Sequence, residues 1–345
     1  MFKAAILGCR GRARAHAKAY QHIPVATLAS ICDMNEERLH EFGDMFEIGQ
    51  RYTDIHEMLE KEKPDLLHIV TAPVLRGTMQ LIRYSLMDTA SEHKVPGVII
   101  EKPIAVTGED WRQIRDLAKR SETKFAVNTQ LHFHPKNLEL KRDVTQGKIG
   151  EIKLIEASSR NPPVDQAPHT LQLVSSYIDN SKPVKVMGQV AGKNQLNSDQ
   201  PSPDNAIARI EYANGVQASV AFGPEMAARV LPETSNNRHK RVCVFGTKGF
   251  VHWRFESWEK FTCDNGYESG GLNYGEEDAI AQIGLTEAMF DWLEDQKKVH
   301  PTNLKQSLAE FNLLLGIYQS GLIRHPILLP FDPPENFIQY MKDTL

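Results

Sequence analysis

The stretch AILGCRGRARAH (residues 5–16) decides how the first part of this chain is interpreted. Apolar residues run into Gly8, as they do where a buried strand ends at a tight turn. A nucleotide-binding turn continues with a middle glycine that lets the backbone approach a pyrophosphate, and then with a glycine or alanine where the helix packs closely. Here Gly8 and Ala13 hold the outer positions. Arg10 replaces the middle glycine and Gly11 follows it, so a variant nucleotide-binding loop and a basic surface turn both stay open.

Composition narrows the class of protein. The chain has 345 residues, enough for two domains, and its net charge of −4 favours neither nucleic acid nor an anionic membrane as a partner. No apolar run is long enough to span a bilayer, and the N-terminal MFKAAILG predicts a strand rather than a signal peptide. The 4 cysteines show no Cys-x-x-Cys spacing, which predicts reduced thiols and a cytoplasmic protein.

The first third of the chain alternates between predicted strands and predicted helices. The helix over NEERLHEFGDMF (35–46) places Leu39 and Phe42 on one face. Short loops and nearly all-apolar strands predict a doubly wound parallel sheet with both faces covered. The predicted strands are KAAIL (3–7), VATLASICD (25–33), the segment that ends at Val70, GVIIEKP (97–103) and KFAVNTQ (124–130).

Ligands of such a sheet bind beyond the carboxyl ends of its strands. Asp33 ends the second strand 20 residues after Ala13, where an acidic residue accepts hydrogen bonds from the adenosine ribose. A carboxylate there repels a 2′-phosphate, which favours NAD over NADP. The plainer interpretation is that Asp33 caps the next helix, and both can hold. Arg10 and Arg12 are candidate contacts to a phosphate held at the helix N-terminus. We therefore predict a Rossmann dinucleotide-binding domain over residues 1–127. Its candidate cofactor contacts are Gly8, Arg10, Gly11, Arg12, Ala13, Asp33, Thr71, Ala72, Pro73, Arg76, Glu101, Lys102, Asn128 and Gln130.

The pattern changes after Gly150 to long strands joined by turns such as Asn214-Gly215 and Lys248-Gly249. This predicts an α/β domain over 128–345 with a large, mostly antiparallel sheet. Two late helices follow, and NNRHKR (236–241) is interpreted as a solvated basic loop. The predicted strands lie within 151–160, 184–192, 206–223 and 241–255, and the helices within 276–298 and 304–323.

The segment EKPIAV (101–106), after such a first domain, resembles the Gfo/Idh/MocA family of nicotinamide-dependent oxidoreductases, which includes inositol dehydrogenase and glucose–fructose oxidoreductase. Other segments resemble the family in the same order along essentially the whole chain. They are YTDIHEMLEKEKPDLLHIVTAP (52–73), NTQLHFHP (128–135), GKIGEI (147–152), DQAPH (165–169) and VFGTKGF (244–250).

Several positions depart from the family pattern. Besides Arg10, Arg76 stands where the family usually has histidine, and His132 stands where arginine is common. Ala167 replaces the glycine of the Asp-x-Gly-x-His motif, and YSLMDTASEHKVPG (84–97) is a longer connection than usual. These departures concern cofactor contacts and substrate identity more than the chemistry.

The resemblance implies three catalytic residues, Lys102, Asp165 and His169. Lys102 at the predicted cleft would donate to the substrate oxygen or exchange a proton with it. Pro168 suits the first turn of a helix, and the positive helix end would keep His169 neutral as the general base, with Asp165 as its partner. From the residues alone, a surface Glu101–Lys102 pair and a capping Asp165 with a buried structural His169 are the alternatives.

Substrate contacts are predicted for Lys102, His132, Arg160, Asp165 and His169. A metal could instead be ligated by the set His132, His134, His169 and Asp165, but nothing in their spacing favours a tetrahedral site, so no metal is predicted. The resemblance also implies that the open sheet face forms a homodimer or homotetramer interface and that late helices pack on the first domain.

These features predict an NAD-dependent dehydrogenase that acts on a secondary ring hydroxyl of a sugar, glycoside or cyclitol. Two alternatives stay open. One is an NAD-dependent glycosidase that uses transient oxidation and elimination. The other is a cofactor-binding regulator without turnover, against which the retention of Lys102, Asp165 and His169 argues.

Overall fold

The structure, a computed structural model, describes residues 1–75, 80–229 and 235–345. None of the described helices is both long enough and apolar enough to cross a membrane. The chain forms two compact units. The first comprises Met1–Ile104, Arg112–Gln130 and Ala279–Ser307, and the second comprises Ala105–Trp111, Leu131–Asp278 and Leu308–Leu345.

The first unit contains eight strands, namely β1 (Phe2–Leu7), β2 (Ala26–Cys32), β3 (Gln50–Tyr52), β4 (Leu66–Ile69), β5 (Val74–Leu75), β6 (Gln80–Leu81), β7 (Gly97–Glu101) and β8 (Lys124–Asn128), among the residues that the structure describes. Six of them form a parallel sheet with the order β3-β2-β1-β4-β7-β8. The two shortest strands of this unit, β5 and β6, pair separately and antiparallel.

Helices connect these strands and continue through the second unit. Two of them begin at a side-chain cap: the Asn35 side chain accepts from the Arg38 N–H at 2.8 Å, and Asp54 accepts from the Glu57 N–H at 2.9 Å. The α-helices are α1 (Ala13–Ala19), α2 (Glu36–Met45), α3 (Ile55–Glu62), α4 (Arg83–Glu92), α5 (Gly108–Arg120), α6 (Pro135–Thr145), α7 (Pro163–Tyr177), α8 (Tyr274–Glu294), α9 (Leu304–Ile323) and α10 (Phe337–Thr344). Short 3₁₀ helices occupy Tyr20–His22, Gln130–Phe133, Asn194–Asn197 and Asn236–Arg238.

The core of the first unit explains why β1 and β2 are nearly all apolar. Ile6 and Ile31 from the sheet are fully buried. Leu39 and Phe42 of α2, the face predicted from the sequence, join the same cluster. Ala13 and its helix also belong to this cluster, so the helix that follows the glycine turn is held tightly against the sheet.

The described strands of the second unit are β9 (Ile152–Ser159), β10 (Pro183–Ala191), β11 (Asn205–Tyr212), β12 (Gln217–Phe222), β13 (Lys240–Gly246), β14 (Phe250–Arg254), β15 (Ser257–Thr262), β16 (Gly266–Gly271) and β17 (Ile327–Leu328). They form one sheet with the order β16-β15-β14-β13-β9-β12-β11-β10-β17. Within it, β9 and β12 pair in parallel and the other neighbours pair antiparallel. The predicted combination of a parallel Rossmann sheet with a mostly antiparallel second sheet is therefore confirmed.

One face of the second sheet is covered by helices. Helix α7 packs on the central strands, and α9 approaches β10 so closely that a Cβ atom on Gly188 would lie 2.8 Å from the Ile317 carbonyl oxygen. Strands β11 and β12 alternate buried and less buried positions, as a sheet covered on one side requires. The other face carries partly exposed apolar side chains, among them Met187 and Phe261.

Sequence patterns missed the shortest and least apolar elements. The edge strand β3 has three residues and the hairpin strands β5 and β6 have two each, which is too short for a periodic signal. Helix α6 and strands β15 and β16 were also not predicted. Strand β16 has the sequence GYESGG, which lacks the β-branched residues typical of strands.

Candidate active site

The turn after β1 has the geometry that its glycine predicts. Gly8 has φ +94°, and a Cβ atom there would lie 2.8 Å from the Val70 carbonyl oxygen. A Cβ atom at Gly11 would meet nothing within 4 Å, so the backbone there borders open space. Ala13 begins α1 and is fully buried, as the third motif position requires. The Arg10 substitution has therefore left the turn intact.

Asp33 lies beside this turn and is bound to it. Its Oδ2 accepts from the Cys9 N–H at 2.8 Å, its Oδ1 accepts from the Asn35 N–H at 2.9 Å, and an Arg38 nitrogen lies 3.6 Å from Oδ1. Asn35, two residues later, supplies the side-chain cap of α2. The interpretation of Asp33 as a cap for that helix was therefore wrong. Its carboxylate organises the loop at the end of β2 instead.

An open cleft of about 590 Å³ lies between the glycine turn and α2. Three arginines and two glutamates border it, so the lining carries a net positive charge of one and guanidinium donors suited to an anionic group. Together with the glycine turn and the carboxylate of Asp33, it fits the adenosine and pyrophosphate portion of a dinucleotide. The lining residues are Cys9, Arg10, Gly11, Arg14, Asn35, Glu37, Arg38, Glu41 and Phe42.

Arg12 faces a different environment from Arg10. Its Nε donates to Glu101 Oε1 at 3.1 Å and its Nη2 donates to Gln282 Oε1 at 2.9 Å. Asn128 donates to the same Glu101 oxygen at 2.6 Å. Arg12, Glu101 and Asn128, all predicted to contact the cofactor, therefore lie together. In this structure they bind one another, because the buried charge of Glu101 requires hydrogen-bond donors. The prediction of Arg12 as a phosphate contact is not supported by this arrangement.

His16 completes the shell around Glu101. Its Nε2 lies 3.0 Å from Glu101 Oε1. Burial by itself would raise the pKa of the Glu101 carboxyl, but the hydrogen bond from His16 and the charge of Arg12 outweigh burial and hold that pKa well below its usual range. Glu101 is therefore ionised at neutral pH, although it is 9% exposed.

Sequence reasoning missed the histidines of this region. His16 Nδ1 lies 2.9 Å from His68 Nδ1, and the Tyr20 hydroxyl lies 2.6 Å from His68 Nε2. Both histidines are fully buried. The signal was present in β4, whose sequence LLHI puts a histidine inside a fully buried apolar strand, where a polar side chain needs a partner.

Lys102 directly follows Glu101 at the end of β7 and is half-buried, and the Lys102–Pro103 peptide bond is cis. At the end of β4, the Thr71 carbonyl accepts from buried Arg83 at 3.2 Å, and Ala72 and Pro73 follow. Gln130, after β8, is buried. Arg76 lies outside the described residues.

Asp165 and His169 lie one turn apart on α7. Asp165 Oδ2 accepts from Asn161 at 2.8 Å and from Gln166 at 3.2 Å, and His169 is buried. Helix α7 begins at Pro163, so Pro168 lies inside the helix and its predicted position in the first turn was wrong. Pro162, at the N-cap, and Pro163, the first residue of α7, are the prolines that occupy the helix start. The helix-end argument for a neutral His169 therefore lapses, because the dipole acts mainly within the first turn.

The other two predicted substrate contacts have partners inside the second unit. Gln172 Nε2 lies 3.1 Å from His132 Nδ1. Arg160 donates through Nε to Asn236 Oδ1 at 3.1 Å and through Nη1 to the Ala227 carbonyl. Both side chains are thus held in place by neighbouring groups.

The segment NNRHKR (236–241) is not a fully solvated loop, and that prediction was wrong. His239 is fully buried and lies 2.7 Å from the Ser158 hydroxyl, and Lys240 is also buried. Asn237 accepts from Asn161 at 2.7 Å, and Asn161 also donates to Asp165. Strand pairing between β13 and β9 draws the segment inward, which its polar composition did not indicate.

Within the described ranges, no group of three or more histidine, cysteine, aspartate or glutamate side chains is arranged to hold a metal ion. The four cysteines, all in described parts of the chain, are free thiols.

Comparisons with known proteins agree with this geometry. Residues 2–129 match the sequence profile of the Gfo/Idh/MocA family, described as an oxidoreductase family with an NAD-binding Rossmann fold. The chain is 31% identical to D-apiose dehydrogenase from Paraburkholderia graminis over 150 residues, which are 43% of this chain and 38% of that protein. The match thus spans about two-fifths of that relative.

Solved structures resemble the chain over nearly its whole length. An oxidoreductase from Agrobacterium radiobacter, in complex with NAD⁺, L-tartaric acid and magnesium, is 20% identical with a TM-score of 0.77, covering 95% of this chain and 98% of that one. Levoglucosan dehydrogenase in complex with NADH is 16% identical with a TM-score of 0.77, covering 95% and 99%. At these identities the likeness shows a shared fold. Residues 2–129 are therefore similar to the Gfo/Idh/MocA family, an oxidoreductase family with an NAD-binding Rossmann fold.

Proposed function

We propose that this chain is an NAD-dependent oxidoreductase that moves a hydride between nicotinamide and a secondary ring hydroxyl of a sugar, glycoside or cyclitol. The observation that carries the proposal is the glycine turn at Gly8, with its arginine-lined cleft and Asp33, in a domain of an NAD-binding family. Relatives and structural neighbours named as D-apiose and levoglucosan dehydrogenases support the substrate class. The cofactor domain would be residues 1–127 and the substrate domain 128–345.

The residues divide the work between binding and proton transfer. The turn at Gly8 and the side chain of Arg10 would hold the pyrophosphate. Bound NAD⁺ supplies the hydride acceptor. Lys102 would hold the substrate oxygen. His169 would accept the hydroxyl proton, and Asp165 would orient the imidazole and accept from a substrate hydroxyl.

Asp33 favours NAD over NADP in this proposal. Its carboxylate would accept from the ribose hydroxyls and repel a 2′-phosphate. Arg38, 3.6 Å from that carboxylate, is the group that could attract a 2′-phosphate instead. We expect NAD to bind at least tenfold more tightly than NADP, a difference of about 1.4 kcal/mol.

The test is a panel of D-apiose, levoglucosan, other sugars and cyclitols, with NAD⁺ and NADP⁺, followed by absorbance of the reduced cofactor. Lys102→Ala and His169→Ala should each lower turnover by about 10²–10⁴-fold, the usual effect of acid–base groups. Asp165→Asn keeps the shape and removes the charge, so it separates an electrostatic role from a structural one.

Lys18→Ala and His22→Ala are matched controls, because both residues are exposed. A glycosyl group released without net cofactor reduction would favour the redox-assisted glycosidase. Unchanged specific activity of the folded Lys102 and His169 variants would contradict the assigned roles, and tighter binding of NADP would contradict the cofactor preference.

We further propose a cytoplasmic homo-oligomer, a dimer or tetramer, that associates through the open face of the second sheet. Partly exposed Met187, Ile207, Phe245 and Phe261 on four strands support an interface there, because register places all four on that face. The free thiols support a reducing compartment.

A further inference from the structure

A row of buried polar side chains runs through the first unit from Tyr20 to Glu101. The Tyr20 hydroxyl contacts His68 Nε2 at 2.6 Å, His68 Nδ1 contacts His16 Nδ1 at 2.9 Å, and His16 Nε2 contacts Glu101 Oε1 at 3.0 Å. Tyr20 is partly exposed and the two histidines are fully buried. The row therefore links a residue near the surface with the residue that precedes Lys102.

The chemistry of each group limits where the protons are. Glu101 Oε1 accepts from Arg12 and Asn128 as well, so it is an ionised acceptor and His16 must carry a proton on Nε2. Burial lowers the pKa of His68 well below its usual value, so His68 holds one proton. Burial also raises the pKa of Tyr20, which keeps its phenolic proton.

Two arrangements satisfy every contact in the row. In the first, Tyr20 donates to His68 Nε2, His68 donates from Nδ1 to His16 Nδ1, and His16 donates from Nε2 to Glu101. In the second, His68 carries its proton on Nε2 and donates to the Tyr20 oxygen. His16 Nδ1 must then be protonated too, so His16 is an imidazolium paired with Glu101. The arrangements differ by one proton and need no change in the heavy-atom positions.

The first arrangement converts into the second by two proton transfers within the row and the uptake of one proton from solvent. The Tyr20 phenolic proton moves to His68 Nε2, the His68 Nδ1 proton moves to His16 Nδ1, and a proton from solvent restores the phenol. No group in the row is oxidised or reduced. Two charged groups lie next to the histidines in the structure. Glu101 contacts His16, and Arg12 contacts Glu101.

We propose that Tyr20, His68 and His16 are positioning residues that carry one proton to and from His16, the partner of ionised Glu101, and that this proton adjusts the charge beside the cofactor. The inference rests on the proposed function, which places nicotinamide next to Lys102. Oxidised nicotinamide is cationic and the reduced ring is neutral. The cation favours the unprotonated row, in which Glu101 is opposed by Arg12 alone, whereas the neutral ring tolerates the imidazolium.

The protonation states are measured in the cofactor-free protein by ¹⁵N NMR of labelled histidines, with His68 assigned through His68→Gln. Near neutral pH we expect His68 to be protonated on Nδ1 and His16 on Nε2. At lower pH, His16 should become doubly protonated while the His68 proton shifts to Nε2. Tyr20→Phe keeps the ring and should shift the His68 Nε2 resonance. An unshifted resonance, or two histidines that titrate without a tautomer change, would overturn the relay.

The coupling is measured by isothermal titration with NAD⁺ and with NADH in buffers of different ionisation enthalpy. Binding of NAD⁺ should release up to about one more proton than binding of NADH, and the ratio of their dissociation constants should change by at most about tenfold per pH unit. His16→Gln should abolish this difference. His22→Gln, at an exposed histidine of the neighbouring 3₁₀ helix, should preserve it.

Equal proton release for the two cofactors, or a difference that persists in His16→Gln, would overturn the coupling. Should His16→Gln fail to fold, Tyr20→Phe replaces it and should reduce the difference. If neither cofactor binds, the proposed function fails and the coupling with it, whereas the NMR result on tautomers still stands. The two failures are thus distinguishable.

Discussion

Arg10 and Arg12 are separated by one residue and lie in opposite environments. Arg10 is exposed at the edge of the cleft, and Arg12 is bound to Glu101 and Gln282. The guanidinium of Arg12 is committed to a buried carboxylate, so it cannot turn to a phosphate without leaving that charge poorly compensated. At the scale of single residues, we therefore expect the two arginines to have different roles.

Replacement of Arg10 tests this difference. Arg10→Ala should weaken NAD binding by about 1.5–3 kcal/mol, the effect of a charge-assisted hydrogen bond. Arg12→Ala should instead lower the thermal midpoint of unfolding, because it removes a hydrogen-bond donor and a positive charge from buried Glu101. Isothermal titration and calorimetry measure the two effects. Lys18→Ala, at an exposed cation of α1, should leave both unchanged. An unaltered dissociation constant for Arg10→Ala would make Arg10 a surface turn residue.

At the scale of secondary structure elements, the alternation of residues along a strand determines which side chains lie on each face of the sheet. In β11, the burial alternates along NAIARIEY, so that Ala206, Ala208 and Ile210 face the helices and Ile207 faces outward. The strand register places Phe261, at the other side of the sheet, on the same outward face as Ile207. A sheet with one helix-covered face and one partly apolar open face is suited to pair with a second copy.

A charge on the open face should prevent this association. Phe261→Glu places a carboxylate where apolar surface would be buried. In a two-fold interface each subunit would contribute one such charge. We expect association at least tenfold weaker, about 1.4 kcal/mol, by sedimentation velocity across a concentration series. Val25→Glu, at an exposed apolar residue of the first unit, should sediment like the unmodified chain. A monomeric unmodified chain would contradict the interface.

At the scale of the whole molecule, buried Glu101 makes stability depend on pH. Its pKa is lower in the folded chain than in the unfolded chain, where a glutamate titrates near about 4.3. The carboxylate therefore contributes its full stabilisation above that unfolded pKa. The contribution is lost as pH falls toward the folded pKa, because the unfolded state then binds the proton more readily.

Glu101→Gln tests this dependence. Near neutral pH, the variant should be less stable by about 1.5–3 kcal/mol, since charge-assisted hydrogen bonds become weaker ones. The difference should shrink as pH falls below about 4. Urea unfolding at several pH values measures it. Glu122→Gln, at an exposed glutamate, should show no such loss. A stability difference that does not change with pH would contradict the linkage.

The amino-acid sequence by itself determined the features that depend on near neighbours. Alternation of strands and helices, the turn at Gly8, the hairpin at Asn214-Gly215 and the apolar face of α2 follow from local sterics and periodicity. The spacing from the glycine turn to Asp33 also proved informative, because one strand–helix–strand unit separates them. These features indicated the fold class and the cofactor cleft.

Only the tertiary structure decided which partners the buried polar groups have. Arg12 meets Glu101 across 89 residues of sequence and Gln282 across 270, and His16 meets His68 across 52. No local pattern encodes such contacts, because they form only when separate strands and helices are packed into one core. A buried charge then takes whatever donors that packing brings within reach, since leaving it unpaired costs more than any local preference. For this reason Arg12 turned inward to Glu101 while Arg10, two residues earlier, faces the cleft.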